Sequence, residues 1–147
     1  MGRLEHHNEI TVLYMFSAFR LLVGCEIKVA RAIFYTFEAF TMRRKLLEEV
    51  AGLTGHDQDK RLIEKLIKAA NRSNEQRQML MHGMLVKATK DGPTVFLKPR
   101  NARDIPVTVT RRWLDERMHV VTGALQEARE AYEALCEKRG LKTTPDL

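Results

Sequence analysis

An arginine and a histidine stand five residues apart in Arg77-Gln-Met-Leu-Met-His82, at the end of a segment with helical periodicity. This pair of side chains suits phosphodiester chemistry. An arginine can hold a phosphate through two parallel hydrogen bonds and offset charge that develops on it. A histidine can move a proton near neutral pH, and close to a helix C-terminus its cationic form is favoured. Attack by an RNA 2′-hydroxyl on the adjacent phosphate needs little else and no metal. On an ideal helix five residues turn about 500°, which leaves the two side chains roughly 140° apart. They converge where His82 sits in a distorted last turn, or where a second subunit completes the site. The same two residues also fit a structural reading, in which the arginine bonds carbonyls or a carboxylate inside a bundle.

Other groups bear on that chemistry. Glu26 lies beside Lys28 and Arg31 in an apolar helical run. It is expected to be solvated, or to turn inward and orient Arg77 as an ion pair. Asn74 and Arg77 fall where core residues belong, within a polar stretch from Asn71 to Gln78. Buried polar groups need partners or a cavity, so local and global rules conflict at this point. Downstream, Lys87, Lys90, Lys98, Arg100, Arg103, Arg111 and Arg112 make a basic segment. It reads either as a surface that tracks an RNA backbone or as a hairpin kept soluble by its charges. The formal charge of +6 and pI near 9.5 tilt mildly toward polyanions.

Most enzyme signatures are missing: there is no P-loop, GxGxxG, GxSxG or HExxH, and no acidic cluster suited to magnesium. No metal or cofactor is expected. His6 and His7 have no third ligand in view. Cys25 and Cys136 lack metal-site or disulfide spacing, so the reading is a reduced, cytoplasmic protein. The most apolar run, Ile10 to Phe40, carries Arg20, Glu26, Lys28, Arg31 and Glu38, charges too dense for a membrane span.

The elements that position these residues follow from periodicity. The chain of 147 residues, 44% apolar and 30% charged, is sized for one domain over 1–147, with loose tails at about 1–8 and 141–147. A first helix is expected over about Asn8–Phe34, with Val12, Phe16, Phe19, Val23, Ile27 and Ala30 on one face. So wide an apolar surface calls for several neighbours or a second subunit. A second helix is expected over Thr41–Leu53, and a third from Asp57 to Gly83, a glycine placed to end it. Met84–Ala88 and Thr94–Leu97 read as strands around the Asp91-Gly92-Pro93 turn. Ile105–Val109 reads as a candidate third strand, and a last helix as running from Thr110 to Gly140. The fold class is therefore mainly α: an up-and-down four-helix bundle with a short β-hairpin inserted between helices three and four.

Several segments together resemble the HEPN superfamily, the "higher eukaryotes and prokaryotes nucleotide-binding" domains, and in particular its small bacterial members. They are Gly24-Cys-Glu-Ile, Ala32-Ile-Phe with Arg43-Arg-Lys-Leu-Leu, and Asn74-Glu-Gln-Arg77-Gln-Met-Leu-Met-His82-Gly83. The resemblance spans about Ile10 to Gly140, and only the Arg-to-His segment is a named motif. It implies a helical bundle that dimerises, and metal-independent ribonuclease activity from motifs that meet across the dimer. It makes Arg77 and His82 the catalytic pair, supported by Glu26, Asn74 and Gln78. Gln78 stands where the family commonly has Asn. The expectation is a homodimeric endoribonuclease of toxin–antitoxin or phage-defence type, with RNA and an antitoxin protein as candidate partners. The alternative is a non-catalytic dimerisation or partner-binding module.

Overall fold

The computed structural model describes residues 2–81, 84–90, 92–97 and 105–141. The protein is mainly helical. Helix α1 spans Gly2–Val23, α2 Ile27–Thr36, α3 Phe40–Leu53, α4 Asp57–Met81 and α5 Arg111–Lys138. Between α4 and α5 lie three short strands, β1 (Met84–Thr89), β2 (Gly92–Leu97) and β3 (Ile105–Thr108), in antiparallel order β1-β2-β3. Thr89 pairs with Gly92 next to the β1–β2 turn, and Leu97 pairs with Ile105.

Two expectations about the N-terminal region are corrected. The continuous helix over Asn8–Phe34 is two helices. Gly24 takes a φ of +66°, a left-handed conformation that only glycine adopts without strain, and its N–H donates to the Arg20 carbonyl at 2.8 Å. The chain turns there and re-enters a helix at Ile27, so the described residues hold five helices and not four. Of the loose tail expected at residues 1–8, Gly2 to Asn8 are instead the first two turns of α1. They are held by Leu4, which is buried, and by Asn8, whose buried side-chain oxygen accepts a hydrogen bond from Ser73 at 3.2 Å.

The middle of α1 is buried on almost every side, from Tyr14 through Phe19 without a break. It contacts α2, α3, α4 and α5 in turn. The wide apolar surface noted in the sequence is therefore covered by the chain's own helices. Phe16 and Phe19 place their rings 5.7 and 5.6 Å from that of Phe34 on α2, and Tyr14 meets Tyr132 on α5 at 5.5 Å. Such tilted pairs add to the burial of the rings themselves. Leu47, Ile63, Leu66 and Leu135 complete the core.

The most extensive helix pair is α4 with α5. Cross-helix contacts fix it as antiparallel. Asp59 meets Arg139, Arg72 meets Glu127, and Gln76 meets Arg117. The start of α5 is capped by the Thr110 side chain, which accepts from the Trp113 N–H at 3.1 Å. Its end closes at Gly140, which has a φ of +64°. The Leu141 N–H reaches back to the Cys136 carbonyl at 3.0 Å, which completes the turn. The expected tail at 141–147 lies outside the described residues beyond Leu141. No described helix is long and apolar enough to cross a membrane.

Candidate functional site

The last turns of α4 run alongside the first turns of α1, and this is where the polar stretch of the third predicted helix finds its explanation. Ser73 and Gln76 turn into the molecule. Ser73 donates to Asn8, and Gln76 accepts from the Arg117 guanidinium at 3.2 Å. Asn74, Arg77 and Gln78 face a cleft of about 370 Å³. The conflict between helix periodicity and polarity thus has two causes: a pair of buried hydrogen bonds, and an open cleft beside them.

Three elements build the cleft. From α1 come Glu5, Asn8, Glu9 and Val12, spaced so that one helix face presents them all. From α4 come Asn74, Arg77 and Gln78, again at spacings of three and four. The third wall is the corner between α2 and α3, with Tyr35, Glu38, Phe40 and Arg43. That corner is braced by Arg43. Its Nε donates to the Phe37 carbonyl at 2.7 Å, and its guanidinium lies 4.8 Å from the centre of the Tyr35 ring and 5.8 Å from that of Phe34. Burial pushes the Tyr35 phenol up from its ordinary value, against the opposing pull of Arg43 and Arg31. At neutral pH Tyr35 is therefore a neutral hydrogen-bonding group on the cleft wall.

Arg77 is held loosely. Its Nη2 lies 3.9 Å from Glu5 Oε1, with side chains 35% and 50% exposed. That separation is beyond hydrogen-bonding distance, so the guanidinium keeps its donors for another acceptor. Glu9 and Glu38 have no ion-pair partner among the described residues. Among the described residues, the cleft carries three carboxylates against two guanidinium groups.

The structure separates the residues singled out by sequence. Arg77, Asn74 and Gln78 line one cleft. Glu26 does not join them. It is the exposed residue before α2, with no side-chain capping bond, and it lies beyond the far end of α1 from the cleft. From Glu5 to the end of α1 at Val23 the helix alone rises about 27 Å. The carboxylate near Arg77 is Glu5, which polarity alone had assigned to a tail. Lys87 lies in β1, with only its backbone described, while His82, Lys98, Arg100 and Arg103 fall outside the described residues. Tyr35 and Arg43 went unrecognised as site residues. Their signal was weak, because they lie where the first expected helix gives way to the second, and the folding-back of the chain there is a tertiary event.

A second polar cluster went unnoticed at the opposite end of α4. Asp59, 1% exposed, accepts from Lys138 Nζ at 2.5 Å and from Arg139 Nη2 at 2.8 Å. Arg139 also donates to the Leu21 carbonyl at 3.4 Å, so one cluster ties together the ends of α1, α4 and α5. Burial raises the Asp59 carboxyl, but hydrogen bonds and charge from Lys138 and Arg139 outweigh it and hold the group below its ordinary value. The acid sits in the first turn of α4 and Lys138 in the last turn of α5, where both helix dipoles favour them.

Comparison of the chain with protein-family models, with curated proteins and with solved structures finds no match in any of the three. The functional reading therefore rests on the chain's own residues and on the resemblance they carry.

Proposed function

We propose that the cleft at the end of α4 is the site of a HEPN-like, homodimeric, metal-independent endoribonuclease with an up-and-down bundle topology. One observation carries this reading. Arg77 stands on the wall of an open cleft, beside Asn74 and Gln78, with a distant carboxylate for company. An arginine that braces a bundle would be buried with its donors satisfied.

In this reading Arg77 binds the non-bridging oxygens of the scissile phosphate and offsets charge as the phosphorus becomes five-coordinate. The RNA 2′-hydroxyl attacks that phosphorus and loses its proton to a base, the bond to the 5′-oxygen breaks, and the leaving oxygen takes up a proton. His82, the residue after the end of α4, serves as the acid–base group. Asn74 and Gln78 position the phosphate or the attacking hydroxyl. The products are a 2′,3′-cyclic phosphate and a 5′-hydroxyl, and the reaction consumes no water. The basic segment at Lys87, Lys98, Arg100 and Arg103 would carry the RNA backbone. An antitoxin would act by covering the cleft.

A second reading has its own support. Among the described residues lining the cleft, Glu5, Glu9 and Glu38 outnumber Arg43 and Arg77, a balance that favours a basic group on a partner protein over a polyanion. There the protein is a non-catalytic binding module.

The deciding experiment incubates purified protein with mixed RNA in EDTA, beside Arg77→Ala and His82→Ala. The ribonuclease reading expects cleavage with cyclic-phosphate ends by the wild type, and a loss of 10²-fold or so in either variant. Intact RNA under these conditions overturns it in favour of the binding module.

A further inference from the structure

Two asparagines in the wall of the Arg77 cleft are almost sealed from water, yet leave hydrogen-bonding groups unused. Asn8 on α1 is 7% exposed and Asn74 on α4 is 8% exposed, and both line the cleft. The Ser73 hydroxyl, itself buried, donates to Asn8 Oδ1 at 3.2 Å. That bond orients the amide. Its oxygen is turned to Ser73, and Nδ2 keeps two N–H donors with no partner among the described residues. The Asn74 amide likewise has none among them. Buried amides need hydrogen-bond partners, and here the contents of the cleft must supply them.

We propose that Asn8, oriented by Ser73, forms an oxyanion subsite with Arg77 and Asn74, and donates to the same phosphate group as Arg77. Helices α1 and α4 run antiparallel here, with Glu5 beside Arg77 and Asn8 beside Ser73. Asn8 therefore stands about one turn, roughly 5 Å, along the cleft from the Glu5–Arg77 pair. An acceptor that serves both donors must bridge that gap. A tetrahedral oxyanion does so with one oxygen to each, since two charge-assisted hydrogen bonds of about 2.8 Å span most of it. Donors held in place beforehand also suit a phosphorus centre that gains charge, because they need no reorganisation during the reaction.

The carboxylates of the cleft set the strength of this subsite and not its chemistry. Glu5, Glu9 and Glu38 lie where water reaches them, whereas Asn8 and Asn74 are enclosed. Glu5, 3.9 Å from Arg77, is the group that an incoming phosphate displaces, an internal competitor for the guanidinium. Arg43 is already committed to the Phe37 carbonyl and the Tyr35 ring. Assigning the phosphate to RNA rests on the ribonuclease reading, while the subsite stands on the buried amides.

The test follows the side-chain amide signals of the full chain by proton–nitrogen correlation NMR as inorganic phosphate is added, against sodium chloride at equal ionic strength. Asn8→Asp assigns the Asn8 signal, and circular dichroism checks each variant. The wild type is expected to bind phosphate with a shift of the Asn8 amide. Asn8→Ala should weaken binding about tenfold and Ser73→Ala by a smaller factor, while Glu5→Gln should tighten it several-fold. An Asn8 amide that stays still, or moves equally with chloride, overturns the subsite whatever happens to RNA. Weakening by Arg77→Ala alone confines the anion to the arginine and overturns the part given to Asn8 and Ser73. Should Asn8→Ala fail to fold, the wild-type shift and Ser73→Ala still decide. Cleavage is read separately, and Asn8→Ala should lower kcat about 10²-fold with KM moved less. Phosphate binding without cleavage by the wild type overturns the ribonuclease reading alone and leaves the subsite standing.

Discussion

Helix α4 carries an acid–arginine encounter at each end, and the two differ in almost every respect that matters. At its start, Asp59 is sealed from water and held by two cations at 2.5 and 2.8 Å. At its end, Arg77 faces an open cleft with Glu5 at 3.9 Å and both side chains partly in water. The first pair has spent its hydrogen-bonding capacity on joining three helix ends. The second has kept its capacity and joins nothing firmly. The same two residue types are structural where they are enclosed and available where they are not.

Removal of each acid or arginine in turn would sharpen this contrast. Asp59→Ala should have the largest effect, a loss of about 2–3 kcal/mol in unfolding by urea, the range for hydrogen bonds to charged groups. It falls short of the full cost of orphaning a buried charge because Lys138 and Arg139 are about 30% exposed and can turn to water. A variant as stable as wild type would mean that the two ends of α4 are alike after all.

The same carboxylate sets an acid limit. Its folded pKa lies below the unfolded value of about 3.9, so its stabilisation is complete above that value and fades as pH falls through the folded one. Unfolding free energy measured from pH 6 down to pH 2 should decline in the wild type. In Asp59→Asn, lower from the outset, it should decline less steeply. Parallel curves would break the argument.

The smallest effect is expected at the other end. Arg77→Ala should change unfolding free energy by less than about 1 kcal/mol, as exposed ion pairs do. A loss of several kcal/mol in thermal or urea unfolding would make Arg77 a brace like Asp59 and remove the ground for reading the cleft as a site.

Much of this was legible in the sequence, and the failures have physical causes. Asp57, Thr110 and Gly140 bounded their helices closely, because capping is local chemistry. The polar run from Asn71 to Gln78 correctly marked the place where α4 departs from simple burial. Glu26 was misplaced because Val12, Phe16, Phe19 and Ile27 keep one period straight through Gly24, and periodicity does not register a change of direction at a glycine. Glu5 was missed because a polar stretch reads as a tail, although Leu4 and Asn8 anchor it against the rest of the fold. Asp59 and Arg139 stand 80 positions apart, and nothing in their spacing announces that antiparallel packing brings them together.

The break at Gly24 has a consequence for how the molecule breathes. Helix α2 is ten residues long and buries just Ala30 and Phe34, while Val29 and Ile33 remain exposed. A segment with so little enclosed surface opens at a lower free energy than the molecule as a whole. Because α2 leads into the corner that carries Tyr35 and Arg43, such an opening would withdraw one wall of the cleft while the α4–α5 pair stayed closed. The glycine thus makes the mouth of the cleft a separately melting unit, and access to Arg77 becomes a matter of local thermodynamics.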